Sequence, residues 1–208
     1  MGWYSRHVFP LILDRVMQHP QLMQLRHQLL ADVQGEVLEI GFGTGLNALV
    51  YPQQGMTLQT VDVNPGVATR ARQRLAQSAL PVRHATLDGQ SLPFQDASFD
   101  VVVSTWTLCS IANVAQALAE IHRVLRPQGV FLYLEHGRHS DPGIARWQSR
   151  LTPLQKRLGD GCHLDRDIDA LLKQAGFDTH DGKRFIAPGI PALFACMYQG
   201  RAQRRPAP

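Results

Sequence analysis

The sequence predicts an α/β fold with a mostly parallel sheet, helices on both faces and a C-terminal antiparallel hairpin. Three observations carry this. Apolar runs of strand length alternate with helical patterns between Gly35 and Leu134, which calls for parallel strands joined by right-handed crossovers. A glycine-rich turn closes the first of those runs, at the strand end where open α/β sheets bind ligands. Two late strand patterns stand one short loop apart, Pro188 to Pro191, too close for a crossover and right for a hairpin.

Residues 5–32 have helical spacing in two pieces, punctuated by Pro20, which is tolerated best in a first helical turn. Residues 35–40 form a buried strand, and residues 46–50 continue from the glycine turn into a helix. Residues 57–62 are a second strand. Pro65 suits a helix start, and residues 67–77, rich in Ala and Arg, supply that helix. Residues 81–85 make a third strand, and residues 99–104 a fully buried fourth. Leu118, Ile121 and Leu125 share one face of a helix over residues 113–125, which the Pro127 to Gly129 turn stops. Residues 130–134 are the fifth strand. Residues 164–174 are the last helix, with Gly176 near its C-terminal end, and residues 183–186 and 193–198 form the hairpin.

At 208 residues, 44% hydrophobic and 18% charged, the chain fits a single globular domain spanning 1–208. Its formal charge of +4 is dispersed; only residues 201–205 are densely basic, in a tail (201–208) read as a solubilising end. With no basic stripe and no base-methylation motif, nucleic acid is not an expected partner. Three cysteines, far apart, argue against a disulfide framework and for a reducing cytoplasm. Arg6, His7, Asp14 and Arg15 interrupt the N-terminal apolar residues, so no signal peptide is read, and no run approaches the ~18 residues of a membrane span. Residues 8–13 are expected to pack on the fold, peripheral membrane contact being the alternative.

The turn itself reads VLEIGFGTGLN over Val37 to Asn47. A dinucleotide fingerprint has glycines at relative positions one, three and six, but counting from Gly41 the sixth residue is Leu46. A Walker loop fails too, since no Gly-Lys-Ser/Thr follows. Gly41, Gly43 and Gly45 nevertheless let the backbone approach a ligand closely. Glu39 would repel a pyrophosphate and favours a cationic ligand. S-adenosylmethionine fits: it has a sulfonium, an ammonium, two ribose hydroxyls and no phosphate. Asp62, 17 residues beyond Gly45, can accept both ribose hydroxyl protons, and Val63 can cover one adenine face. The plainer alternative makes Glu39 a strand-end charge and Asp62 a cap for the helix at Pro65.

Here the sequence resembles the class I S-adenosylmethionine-dependent methyltransferases, over about Gly35 to Leu134. Residues 87–100 look like that family's connection between third and fourth strands. The resemblance makes Asp88 the partner of the adenine amino group and Gly89 the adjacent backbone amide. Residues 125–129 (LRPQG) resemble the family's turn before the fifth strand, with Gln128 where Gly is usual. The family fold is Rossmann-like, a seven-stranded sheet with a final antiparallel hairpin. Residues 104–110, Glu135-His136 and residues 161–164 look most like thiol S-methyltransferases, within a branch that includes ubiquinone/menaquinone C-methyltransferases. That group often has an N-terminal membrane anchor, which is not read here.

The resemblance implies S-adenosylmethionine as methyl donor, S-adenosylhomocysteine as product, and cofactor contacts at Glu39, Gly41, Gly43, Gly45, Asn47, Asp62, Val63, Asp88, Gly89 and Thr105. Methyl transfer needs alignment, exclusion of water and at most a proton acceptor, so no triad is expected. His136, with Glu135, ends the fifth strand on the functional rim and is the candidate base. Trp106 is a candidate pocket wall and Cys109 a small buried hydrophobe without an activating base. His136, His139, Cys162 and His163 contain metal-binding atoms but match no strong zinc spacing, and no metal is expected. The expected partner is a small, fairly apolar acceptor, roofed by an N-terminal helical lid (1–34, with Tyr4, Arg6 and His7) and an insertion (136–163, with Trp147, Arg150 and Leu151), around a cofactor core (35–135) and a final helix and hairpin (164–200). A monomer is favoured. A nicotinamide-dependent oxidoreductase and a non-catalytic cofactor-binding module are the rival readings.

Overall fold

The computed structural model describes residues 2–205. The chain opens with three helices, α1 (Trp3–His7), α2 (Phe9–Met17) and α3 (Pro20–Leu30), where the sequence predicts two. Pro10 explains the extra break: it lacks the N–H that would bond back to the Arg6 carbonyl, and it sits instead in the first turn of α2.

Eight strands follow: β1 (Gly35–Ile40), β2 (Met56–Asp62), β3 (Val82–Thr86), β4 (Phe99–Thr105), β5 (Leu125–His136), β6 (Phe177–Asp178), β7 (Lys183–Ile186) and β8 (Cys196–Arg204). Their order is β3-β2-β1-β4-β5-β8-β6, with β7 also paired to β8. The first five are parallel, and β8 runs antiparallel to β5, β6 and β7. Because β6 and β7 take successive stretches of the same edge of β8, the sheet has the seven expected positions with the outermost split in two.

Four helices complete the fold: α4 (Ala68–Leu75), α5 (Val114–Val124), α6 (Pro142–Leu158) and α7 (Ile168–Gln174). Alternation along each strand sends residues to two cores. Leu38, Ile40, Val102, Phe131 and Tyr133 pack on one face with Leu118 and Ile121 of α5 and Ile168 and Leu172 of α7. Val37, Leu58, Val103 and Leu132 pack on the other with Leu30 of α3 and Ala71 of α4.

Several expectations are corrected. Residues 46–50 form no helix, only a 3-10 turn over Leu46–Leu49, with Pro52 just beyond. β5 begins at Leu125 and runs through Pro127 to Gly129; a register shift against β4 between Phe99 and Val101 absorbs the irregularity. Residues 140–160 are mostly the long helix α6, whose first turn is capped by Asp141 accepting from the Gly143 and Ile144 amides. The last helix starts at Ile168 rather than residue 164, since the Asp167 carboxylate caps it on the Ala170 amide. The basic tail is largely structured: Arg201 to Arg204 belong to β8, inside the sheet, while residues 206–208 lie outside the described residues. Among the described residues no helix is long and apolar enough to cross a membrane.

Candidate functional site

The turn after β1 places Gly41 at φ 73° and Gly43 at φ 57°, the left-handed region that favours glycine. A Cβ at Gly41 would collide with the Thr107 side chain. At Gly43 it would meet nothing nearer than the Gly41 carbonyl, 3.9 Å away, so the bare backbone fronts open space. Asp62, at the end of β2, holds this turn: its Oδ2 accepts from the Gly43 amide and its Oδ1 from the Asn64 amide, both at 2.7 Å. Burial raises the Asp62 carboxyl, and those two N–H donors oppose the rise. Each carboxylate oxygen has a further lone pair for a ligand hydroxyl.

A cavity of about 340 Å³ opens here. Gly41 to Thr44 and Asp62 form its floor, Val63 and Val67 one wall, and Asp88, Gly89 and Gln90 one end. Thr105, Trp106 and Thr107 lie across from these, beyond the end of β4, with Ser110 and Ile111. Phe9, Leu13 and Met17 of α2 close it from above. Asp88 accepts from the Gln90 amide and side chain at 2.8–2.9 Å, so its carboxylate is presented at the mouth.

Beneath the floor lies a polar network. Glu39, 1% exposed, accepts from Asn47 Nδ2 and from the Tyr51 hydroxyl, each at 2.8 Å. Asn47 also donates to Thr105 Oγ1 at 3.0 Å, and Arg26 Nη1 donates to Asn47 Oδ1 at 2.6 Å and to Thr105 Oγ1 at 3.1 Å. Arg26 reaches the cavity wall, its guanidinium 4.6 Å from the Trp106 ring centroid and its buried Nε without a partner. Burial pushes the Glu39 carboxyl up to about 8, against the hydrogen bonds from Tyr51 and Asn47 and the Arg26 charge, and brings Arg26 down to about 10.

The sequence-predicted residues therefore divide. Gly41, Gly43, Asp62, Val63, Asp88, Gly89 and Thr105 line one cavity. Glu39, Asn47 and Gly45 do not; the first two support it from below, which corrects the expectation that Glu39 faces a ligand. Gly45 instead packs beside Phe42 and Ala71. Glu135 and His136 are a further correction, because neither reaches the cavity. Glu135 is fully buried, accepting from Ser104 Oγ at 2.7 Å and the Thr107 amide at 3.1 Å. His136 points the other way along the strand's alternation and meets Cys162 Sγ at 3.1 Å and the Phe194 ring. Cys109 is buried as expected, yet it is not isolated from a base, since it sits beside His136 and Cys162.

The roof also differs in detail. Trp147 is 56% exposed, and of the 136–163 segment only Asp160 borders the cavity. Tyr4 anchors the lid instead, donating to the Leu158 carbonyl, while Ser5 and Asn64 both donate to the Asp160 carboxylate. Phe9 and Leu13 belong to the apolar stretch 8–13 expected to pack on the fold, but the sequence does not single out Arg26 or Met17. Their only signal is apolar spacing in α2 and one cation on an otherwise buried face of α3.

Comparison with known proteins gives the family and the fold. Residues 38–133 match the family described as Methyltransferase domain. Human thiol S-methyltransferase TMT1A is 32% identical over 205 residues, covering 90% of this chain and 82% of its own length. Thiol S-methyltransferase TMT1B of Rattus norvegicus is 35% identical over 149 residues, 68% of this chain and 59% of its own. A solved structure from Thermotoga maritima, described as a SAM-dependent methyltransferase and possible histamine N-methyltransferase, superposes with a TM-score of 0.70 at 20% identity, over 98% of this chain and 100% of that one. At that identity the likeness speaks for the fold alone.

Proposed function

Because this chain belongs to the class I S-adenosylmethionine-dependent methyltransferases, we propose that it methylates the sulfur of a small apolar thiol. The cofactor, when bound, supplies a methyl group activated by its sulfonium. Gly41 to Thr44 offer it bare backbone, Asp62 accepts from its ribose hydroxyls, Val63 covers the adenine, and Asp88 with the Gly89 amide meets the adenine edge. Arg26, fixed by Asn47 and Thr105, has an unpartnered buried N–H for the methionyl carboxylate. Glu39 sets the orientation of Asn47 from below.

One observation carries the choice of acceptor. The part of the cavity beyond Thr105 is walled by Phe9, Leu13, Met17, Trp106 and Ile111, and no His, Lys or Cys lines it among the described residues. A phenol or amine acceptor would lean on such a base. A thiol of cysteine-like acidity, with an ordinary pKa of about 8.5, or a more acidic aryl thiol is partly ionised near neutral pH without one. Bound S-adenosylmethionine would supply the activated methyl group, and this chain would need only to hold the thiolate in line with it, the thiol proton going to solvent. The two thiol S-methyltransferase relatives support the same reading. The partner is thus a small molecule rather than nucleic acid. A cytoplasmic monomer is the setting we infer, in keeping with three free, buried thiols.

The test is an acceptor panel read by S-adenosylhomocysteine release. Alkyl and aryl thiols should turn over, while matched phenols, catechols, quinols and amines should not. Turnover confined to an oxygen, nitrogen or carbon acceptor would replace the thiol reading. Cofactor binding without turnover on any acceptor would make the chain a non-catalytic binding module.

A further inference from the structure

We propose that Cys109, His136 and Cys162 form a binding site for a single zinc ion, separate from the cofactor cavity. The three come from distant points of the chain: the segment after β4, the last residue of β5, and the loop after α6. Their ligand atoms nevertheless lie within 4.8 Å of one another, and all three side chains are buried. Zinc bound by two thiolates and an imidazole has ligands about 2.3 Å and 2.0–2.1 Å from the metal, so small side-chain rotations bring this triangle onto one ion. The donors are soft sulfur and imidazole nitrogen, the set that selects zinc over calcium or magnesium. No disulfide claims the thiols, which are free.

The surroundings are built as well. His163 and Cys109 are joined backbone to backbone, the His163 amide donating to the Cys109 carbonyl at 2.9 Å, so the two cysteine segments are fixed relative to each other. The Phe194 ring covers His136. Arg166, anchored on the carbonyls of Leu108 and Ile111, is the cation nearby. Binding displaces one proton from each thiol, both passing to solvent. His136 binds through Nε2 and keeps its proton on Nδ1, which has no other partner. A water or an exogenous donor completes four-coordination, as in sites with three protein ligands. This inference does not rest on the identity of the methyl acceptor.

The experiment uses the full chain, purified under reductant, incubated with zinc and dialysed. Metal analysis should give about one zinc per chain. Cys109→Ser and Cys162→Ser should each lose most of it, whereas Cys196→Ser, outside the cluster, should keep it. Cobalt substitution should add an intense thiolate-to-cobalt charge-transfer band that both cluster variants lack. Should either variant misfold, alkylation of the wild-type chain decides: zinc should protect Cys109 and Cys162 from a maleimide several-fold relative to the unliganded protein. Absence of retained zinc together with absence of protection would overturn the site. So would equal zinc content in Cys162→Ser and the wild type.

Discussion

Glu39, expected at the ligand, is buried beneath the cavity on Asn47 and Tyr51. An acid two residues before a glycine turn is legible as a mark against phosphate, but its surroundings depend on Arg26 of α3, which no local pattern around the turn reveals. With its carboxyl pushed up from 4.5 to about 8, Glu39 holds its proton more tightly folded than unfolded. Its contribution to stability is therefore fully present below 4.5 and is lost as pH rises through about 8. Glu39→Gln should flatten the fall in Tm between about pH 5 and pH 9, followed by circular dichroism. A slope identical to the wild type's would remove Glu39 from that titration. The place of Asp62 is legible from sequence, because it sits beside the turn that it organises and borders the cavity. Asp62→Asn should weaken S-adenosylhomocysteine binding at least about tenfold by calorimetry, since hydrogen bonds to a charged acceptor contribute about 1.5–3 kcal/mol each. Unchanged affinity would take Asp62 out of the ribose site. His136 and Glu135 were legible only as strand-end residues. What covers them, Phe194 and the loop holding Cys162, arrives from far along the chain.

The first four strands follow their local patterns closely, whereas the crossover after β1 forms only a 3-10 turn, β5 begins at Leu125, and the strand expected over residues 193–198 is Cys196–Arg204. β1 matches its sequence-derived bounds because an apolar run ends on a glycine that must turn. α6 escaped notice because Pro153 lies inside it, and only Ala145, Gln148 and Thr152 of its residues are buried. The N-terminal helices are tied to the body by a polar link that makes them testable as an element. Asp14 of α2 pairs with Arg74 at 2.7 Å and with Arg70 at 3.7 Å, and Arg74 also donates to the Thr44 carbonyl beside the glycine turn. Burial alone would raise Asp14, but the Arg74 and Thr44 hydrogen bonds and both arginine charges hold it below its ordinary 3.8. That link is thus present above pH 3.8 and lost as pH falls below it. Asp14→Asn should speed hydrogen exchange in α1 and α2 and raise the KM for S-adenosylmethionine several-fold, with kcat reduced less. Unaltered exchange in α2 would mean that the apolar contacts of Phe9, Leu13 and Met17 suffice to seat it.

At the scale of the whole molecule, the strand order turns back between β1 and β4, and ligands of open α/β sheets bind at that reversal. The carboxyl ends of β1, β2 and β4 deliver the glycine turn, Asp62 and Thr105 to one cavity, the place that a topology inferred from alternation points to. The cavity's charge then selects its occupant. Asp62, Asp88 and Asp160 border it against a single guanidinium, that of Arg26, an arrangement that favours a cationic nucleoside over a diphosphate. Leu46 stands where a dinucleotide turn has its third glycine, the one that lets the following helix pack closely on the strand; it is 3% exposed, and only a 3-10 turn follows it. A ligand that binds only the folded chain stabilises it by about 2.7 kcal/mol at a hundredfold excess over Kd. For a chain of this length that is a rise in Tm of roughly 5–10 °C. S-adenosylmethionine and S-adenosylhomocysteine should each produce such a rise in a thermal-shift titration, whereas NADH and ATP at the same concentrations should produce none. A comparable rise with NADH would show that three carboxylates and a missing glycine do not exclude a dinucleotide, and would restore the oxidoreductase reading.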